Sequence, residues 1–397
     1  MAKEKLDRTQ DLLNASGAGG QEKNRPDETQ FPFGGDIQFI LDETSKNVAR
    51  LNNGMDILEG KYENKRGVTP YQVIYQKNRF RVLHYQSEAP RRYKTPIVFV
   101  YALIGAYYIL DISEDKSFVR YLLDKGFDVY MVDWGKPSKV EGKNTIGDYI
   151  EKYLDRGIEK VIEISGSKQV NLFGYCLGAL MSMIYTAAHQ DKVKNLSLLT
   201  PPIDFDDDGV LTSMTDPEYF DIDRIVRHFD HLIPSEFIQS GFDFKNAIGN
   251  MMSNYSLWNI LWNKKALEGF YPMNHWVHDN VPMASEFWKE YITKFYMQNQ
   301  FMTNKFYLNG KHLDFKQVVC PLLAVAADRD DIVTPKCAEG ALKIVGSKDK
   351  TMMMKKGGHV GVLVGSMAKN EVWPDIYSWL SSRSERIVKK TGDIEQY

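Results

Sequence analysis

Gly174-Tyr175-Cys176-Leu177-Gly178 sets a cysteine midway between two glycines, after the apolar run Val170 to Phe173 and before the helical pattern Leu177 to His189. A nucleophile spaced in this way between a strand and a helix stands on a sharp turn, the nucleophile elbow. The turn strains the backbone of the central residue. The glycines remove side chains that would clash, and the sulfur is left standing above the sheet. A helix N-terminus beneath it favours a thiolate, and the Leu177 backbone N–H would point at an oxyanion forming on a substrate carbonyl. A structural cysteine on a glycine-rich turn also fits these five residues. Two later segments weigh against that. Asp330 lies in Asp328-Arg329-Asp330-Asp331-Ile332-Val333-Thr334-Pro335, just past one apolar run, and His359 lies in Gly357-Gly358-His359-Val360-Gly361, just past the next. A histidine flanked by three glycines is poorly explained as core packing. Together the three residues can form a Cys-His-Asp triad for acyl transfer. Asp328 and Asp331 compete with Asp330, whose spacing to the following Ile-Val-x-Pro favours it.

These residues need strands and helices to hold them. Tyr71 to Gln76 and Arg79 to Tyr85 read as a hairpin turning at Lys77-Asn78. Buried strands are expected at Pro96 to Tyr101, Phe127 to Val132, Val170 to Phe173 and Val193 to Leu199, alternating with helices at Ser117 to Lys125, Thr145 to Ile164 and Leu177 to His189. Strand character returns at Pro321 to Ala327 and Lys350 to Met354, before a terminal helix from Val372 to Val388. Short apolar runs alternating with helical patterns indicate a mostly parallel sheet with helices on both faces. The chain order nucleophile, acid, histidine is that of the α/β-hydrolase fold, which places all three at strand C-termini. The expected organisation is a mobile polar tail over 1–30, with a short helix near Leu6 to Leu13, and a first part of the core over 31–202. A mainly helical, aromatic-rich cap or lid insertion over 203–310 follows, then the rest of the core over 311–397.

The composition excludes several function classes. Of 397 residues, 43% are hydrophobic and 26% charged, ruling out a disordered or collagen-like chain. Fifty basic against 52 acidic residues give a net charge of −2, with no global electrostatic case for nucleic acid. Three cysteines exclude a disulfide scaffold and point to a reducing, cytoplasmic setting. The N-terminus lacks a signal-peptide core, and the apolar runs Pro96 to Leu110 and Leu172 to Ala188 are too short to span a bilayer. The glycine-rich Ser16 to Gly20 follows no strand, so a phosphate loop is not expected there. Asp204-x-Asp206-x-Asp208-Gly209 resembles half of a calcium loop, but its twelfth position is Thr215, so a solvated acidic loop is expected. His228/His231 and His275/His278 lack the partners of a zinc site, and no metal or cofactor is expected. Cys320 and Cys337 read as packing thiols.

With these residues in place, the chain resembles the polyhydroxyalkanoate synthases, specifically the catalytic subunit of the short two-component kind, class III or the related class IV. The resemblance covers most of residues 60–385. It rests on the elbow and on Tyr107-Tyr-Ile-Leu-Asp-Ile112, Val132-Asp-Trp-Gly-Lys-Pro137, Leu199-Thr-Pro-Pro-Ile-Asp204, Trp276-x-x-Asp279 and Val372-Trp-Pro-Asp-Ile-Tyr-Ser-Trp-Leu380. Two segments depart from the family's pattern. Leu103-Ile104-Gly105-Ala106 stands where Leu/Trp-Ile-Asn-Lys is common, and Asp330-Asp331 stands where Asp-His is usual. The resemblance implies an acyltransferase that polymerises (R)-3-hydroxyacyl-CoA, most simply 3-hydroxybutyryl-CoA, and releases CoA. Cys176 would be the nucleophile, His359 the base and Asp330 its partner or the activator of the 3-hydroxyl, with backbone donors at Leu177 and near Ile104. It further implies a second synthase subunit, self-association into a dimer and attachment to a polyester granule. A cysteine-dependent hydrolase or thioesterase would use the same three residues with water as acceptor. A non-catalytic granule scaffold would need none of them.

Overall fold

Runs such as Ile97-Val-Phe-Val100 and Val170-Asn-Leu-Phe-Gly-Tyr175 carry no polar-apolar alternation, and in the structure every residue of both is buried. That is the pattern of parallel strands covered by helices on both faces. The computed structural model describes residues 37–61, 67–206, 210–245 and 257–387. The polar tail expected over 1–30 lies outside them. Twelve strands are described: β1 (Tyr71–Lys77), β2 (Phe80–Tyr85), β3 (Ile97–Val100), β4 (Val129–Asp133), β5 (Val170–Tyr175), β6 (Val193–Leu199), β7 (Leu232–Ile233), β8 (Met283–Ala284), β9 (Tyr307–Leu308), β10 (Lys311–His312), β11 (Leu322–Ala327) and β12 (Lys350–Lys355). Eight of them form one sheet in the order β1-β2-β4-β3-β5-β6-β11-β12. Only the β1–β2 and β2–β4 pairings are antiparallel. The expected α/β sheet is thus present, with the hairpin at one edge.

The hairpin turn sits one residue later than Lys77-Asn78, because Lys77 still pairs with Phe80 and Asn78 takes the left-handed conformation at φ 55°. The terminal helix is shorter than expected, spanning Trp373–Ser382. Its Trp373 donates Nε1–H to the Leu363 carbonyl and stacks on Phe118, while Trp379 donates to Thr351 Oγ1. These bonds fasten the end of the chain beneath the sheet.

Between β6 and β11 the chain leaves the sheet. It forms helices Ile222–Phe229, Ser235–Lys245, Lys264–His278 and Ser285–Tyr291, and the β7–β8 pair joins the two halves of this excursion. Asp204, expected in a solvated loop, is instead buried. Its Oδ1 accepts from Asn299 Nδ2 at 3.0 Å and from the Asp206 amide at 3.2 Å. It buttresses the start of the insertion against Asn299, while Asp208 and Gly209 lie outside the described residues. A 22-residue helix at Ile37–Leu58, not anticipated from the sequence, precedes the sheet. It sits on residues 257–262, through bonds from Arg50 Nε to the Trp258 carbonyl and from Asn53 Nδ2 to the Leu261 carbonyl.

The aspartate of the Tyr107 to Ile112 motif has a structural task. Asp111 is fully buried, and its carboxylate accepts from the Val68 and Thr69 amides, Thr69 Oγ1 and Ser117 Oγ. Ser117 also caps the helix Phe118–Asp124 by accepting from the Arg120 amide. Asp111→Ala orphans these four donors. It should cost about 2–4 kcal/mol of stability, read as a lowered midpoint in urea unfolding.

Candidate active site

β5 ends at Tyr175 and the helix Leu177–Ala188 begins at Leu177, leaving Cys176 alone in the turn with φ 54° and ψ −124°. A non-glycine residue there is strained and persists only where its surroundings over-determine it. The Cys176 amide donates to the Leu199 carbonyl at 3.0 Å, and its carbonyl accepts from the Ala179 amide at 2.8 Å. The flanking glycines are required by space. A Cβ at Gly174 would lie 2.4 Å from Ala179 Cα, and one at Gly178 would lie 2.0 Å from the Val100 carbonyl oxygen. Cys176 remains half-buried, so its sulfur is reachable.

The structure brings the other two residues to it. Asp330 follows β11, His359 follows β12, and their strands pair in parallel. His359 Nδ1 is 2.7 Å from Asp330 Oδ2, and Asp330 Oδ1 accepts from the Ile332 and Val333 amides at 2.9 Å each. Asp328 and Asp331 are exposed; Asp328 bonds the Gly357 amide, which shapes the histidine loop. With Nδ1 on Asp330, Nε2 is left free to serve Cys176, which is near enough to act on the imidazole electrostatically. Burial alone would lower the His359 pKa. The negative charge of Cys176 and the hydrogen bonds to Asp330 and Cys176 override it, pushing the imidazole up to about 10. Across the neutral range His359 is therefore an imidazolium held between two acids. Cys320 is different, because burial pushes its thiol up to about 11. Cys337 is buried in a small cluster with Ala326, Val333 and Ala338. Neither thiol belongs to the triad.

Leu177 is the first residue of its helix, directly after Cys176, where an amide has no i−4 acceptor. Ile104 lies half-buried in the loop after β3. Val100 pairs with Gly174, so this loop starts beside the elbow. Three of the sequence motifs converge on it. Trp134 Nε1 donates to the Tyr101 carbonyl at 2.8 Å, and Trp276 Nε1 donates to the Ala106 carbonyl at 2.8 Å. Tyr108 Oη donates to Asp279, whose other oxygen accepts from Lys136 Nζ at 2.9 Å. Gly105 sits in this clamped segment at φ 75°, with Trp276 and the Tyr101 hydroxyl packed over it. Glycine takes this left-handed backbone at no steric cost.

The sequence reading missed the aromatic walls. Tyr101, just after β3, and Tyr291, from the insertion, are buried in the neighbourhood of Cys176, and burial raises both phenols well above their usual range. The Tyr175 ring lies 5.4 Å from that of His359, and its hydroxyl donates to the His359 carbonyl. A cleft of about 550 Å³ opens on the far side of the Tyr101–Ala106 loop, between Arg79, Arg81, Lys136 and Asp279; the triad residues do not line it. Among the described residues, the group of three side chains that could jointly ligate a metal is Glu151, Asp155 and His189. Lys192 Nζ sits 2.6 Å from Asp155 there, making the group an ion-pair network.

Residues 95–366 match the family described as alpha/beta hydrolase fold, and residues 60–122 match the one described as Poly-beta-hydroxybutyrate polymerase (PhaC) N-terminus. The chain is 34% identical over 368 residues to the poly(3-hydroxyalkanoate) polymerase subunit PhaC of Haloferax mediterranei, covering 90% of this chain and 75% of that one. It is 33% identical over 350 residues to the protein of the same name from Allochromatium vinosum, covering 87% and 97%. Among solved structures, a candidate lipase from Sulfolobus solfataricus aligns with a TM-score of 0.51 at 14% identity, over 79% of this chain and 99% of that one. That likeness speaks for the fold alone.

Because its folded pKa is raised, His359 contributes stability that is complete below its unfolded pKa of about 6.5 and is lost as pH climbs through about 10. Urea unfolding of the wild type and of His359→Gln, compared from about pH 6 to pH 10.5, should therefore show a gap that narrows toward alkaline pH. At Gly105, where an added Cβ would lie 3.3 Å from the Tyr101 hydroxyl, Asn should cost less than Val, which should cost about 2 kcal/mol or more. The two variants' melting curves provide the measurement.

Proposed function

The chain belongs to the poly(3-hydroxyalkanoate) polymerases of alpha/beta hydrolase fold, and we propose that it builds polyester from (R)-3-hydroxyacyl-CoA, with 3-hydroxybutyryl-CoA as monomer, through a thioester on Cys176. As a member of that family it is an acyltransferase, a polyhydroxyalkanoate synthase. The observation that carries the covalent mechanism is the line of contacts from Cys176 through His359 to the buried Asp330 carboxylate.

The steps follow from that line. The Cys176 thiolate attacks the thioester carbonyl, forming the Cys176 S–C bond. The carbon–sulfur bond to CoA breaks, and the departing sulfur takes the proton held by His359. Exchange of one thioester for another is nearly isoenergetic, so the acyl group is held without loss of driving force. The oxyanion formed on the way would be met by the Leu177 amide and by an amide of the clamped loop near Ile104, each worth roughly 3–4 kcal/mol. In elongation, neutral His359 removes the proton from the 3-hydroxyl of the Cys176-bound unit, whose oxygen attacks the thioester carbonyl of the next acyl-CoA; the carbon–sulfur bond to CoA breaks, the departing sulfur takes the proton back from His359, and the ester chain is one unit longer. Asp330 has both oxygens engaged, one by His359 and one by two amides, and its side chain is sealed from solvent. This supports its acting through His359, as a positioning and charge-stabilising group, over direct contact with the substrate hydroxyl.

Water must be kept from the acyl-enzyme, or hydrolysis ends the chain. The insertion that delivers Tyr291 over the sulfur suits that need. The matched relatives are named as a polymerase subunit, which supports the expectation that this chain acts with a second subunit. No helix among the described residues is long and apolar enough to cross a membrane. Attachment to a cytoplasmic polyester granule belongs to the same proposal.

Cys176→Ala should abolish CoA release from 3-hydroxybutyryl-CoA, while Cys320→Ala and Cys337→Ala keep most of it. Asp330→Asn should lower turnover by about 10²–10⁴-fold. Thiol release and turbidity followed together provide the test. Turnover retained in the Cys176 variant would refute the covalent mechanism, and free hydroxy acid without turbidity would indicate water as the acceptor.

A further inference from the structure

His359 stands in a loop that packing alone does not confine. A Cβ added at Gly358 would come no nearer than 3.6 Å to another part of the chain, and one at Gly361 would meet nothing within 4 Å. The elbow is the opposite case, since its glycines are demanded by space. Glycine also leaves the backbone its widest freedom, so this loop must be ordered by bonds. Asp328 accepts from the Gly357 amide at 2.8 Å, the Arg329 amide donates to the Gly357 carbonyl at 2.9 Å, and Asp330 holds Nδ1 of His359. All three bonds lead to the segment after β11. They make the acid and the histidine one unit, and none of them reaches the nucleophile.

Tyr175 does. It is the last residue of β5 and directly precedes Cys176. It is buried, its hydroxyl donates to the His359 carbonyl at 3.2 Å, and its ring lies 5.4 Å from the imidazole at an angle of 34°. The same ring stacks on Tyr101, with centroids 5.8 Å apart and planes 29° apart. Tyr101 belongs to the clamped loop, where its carbonyl accepts from Trp134 Nε1 and its hydroxyl packs over Gly105. Three rings thus join the loop after β3, the elbow and the histidine loop. We propose that Tyr175 is a positioning residue, which sets the imidazole of His359 against the sulfur of Cys176 by tying the histidine's backbone to the nucleophile's own strand. This rests on the reading of Cys176 and His359 as partners in acyl transfer. Phenylalanine would fill the same apolar space, so what the hydroxyl adds is the bond to the histidine loop. That bond is sheltered from water, which strengthens it. Proton transfer depends steeply on placement, so a small drift of the imidazole is felt in the rate.

Tyr175→Phe removes the hydroxyl and keeps the ring. It should lower kcat for CoA release from 3-hydroxybutyryl-CoA by roughly 5- to 20-fold with KM little changed. Tyr175→Leu, which also removes the ring, should lower it further. A base held at the sulfur speeds its reaction with electrophiles. Alkylation of Cys176 by iodoacetamide at about pH 7, followed by mass spectrometry of its peptide, should therefore slow by roughly 3- to 10-fold in Tyr175→Phe. In a His359→Gln background the same substitution should change that rate by less than about twofold, because Tyr175 acts through His359. The alkylation series needs no acyl transfer, so failure of the polyester reading and failure of this one are told apart. Circular dichroism and the melting curve establish that the variants fold. Full kcat in Tyr175→Phe, a rise in KM in place of a fall in kcat, or an equal slowing of alkylation with and without His359 would each overturn the proposal.

Discussion

The site depends on one strained residue. Holding Cys176 at φ 54° costs on the order of 1–3 kcal/mol, and the fold supplies this from ordinary packing. Leu177 to Ala187 are all buried, so the helix behind the nucleophile is gripped on every side. Gly178 lets that helix sit against the end of β3, and Gly174 lets β5 approach its first turn. Relaxing Cys176 to an unstrained backbone would mean withdrawing the helix from β3 and opening the middle of the sheet. The strain is therefore borne by the whole core, and the sulfur has no low-energy route out of its position.

A second constraint works from the substrate side. The loop after β3 has backbone carbonyls fixed by two indoles, Trp134 from the core and Trp276 from the insertion. Asp279 then couples Tyr108 of that loop to Lys136 of the segment after β4. Motifs more than a hundred residues apart in the chain thus meet on six consecutive residues. The arrangement does for this loop what the glycines do for the elbow: it fixes the backbone in advance. It also joins the insertion to the core beside the end of β3.

Much of this was legible in the sequence because parallel strands covered on both faces read as unbroken apolar runs, and because the elbow's glycines answer a steric demand that no other residue meets. Asp330, preferred over its neighbours in the sequence for its spacing to the Ile-Val-x-Pro that follows, accepts in the structure from the Ile332 and Val333 amides of that segment. What escaped depends on long-range contacts. Asp204 has the composition of a solvated loop, and its burial is met by partners distant in the chain, Asn299 and Lys343. Tyr101 and Tyr291 are ordinary aromatic residues until folding brings them around the sulfur. The helix Ile37–Leu58 was missed because its apolar stripe answers to no surface of its own domain.

The electrostatics of the triad explain why a thiol suits this chemistry. A carboxylate as buried as that of Asp330, and a nucleophile that must carry negative charge during reaction, are costly unless fixed dipoles compensate them. The compensation is present at both ends. The Ile332 and Val333 amides meet Asp330, and the N-terminus of the helix Leu177–Ala188 lies beneath Cys176. A serine hydroxyl, far less acidic, would wait unionised for its base and form an ester that holds its acyl group more tightly. A thioester on Cys176, as proposed, would be a bond of the same kind as the one it replaces. For a polymerase that must accept and pass on an acyl chain many times without releasing it to water, that near-equality is the useful property.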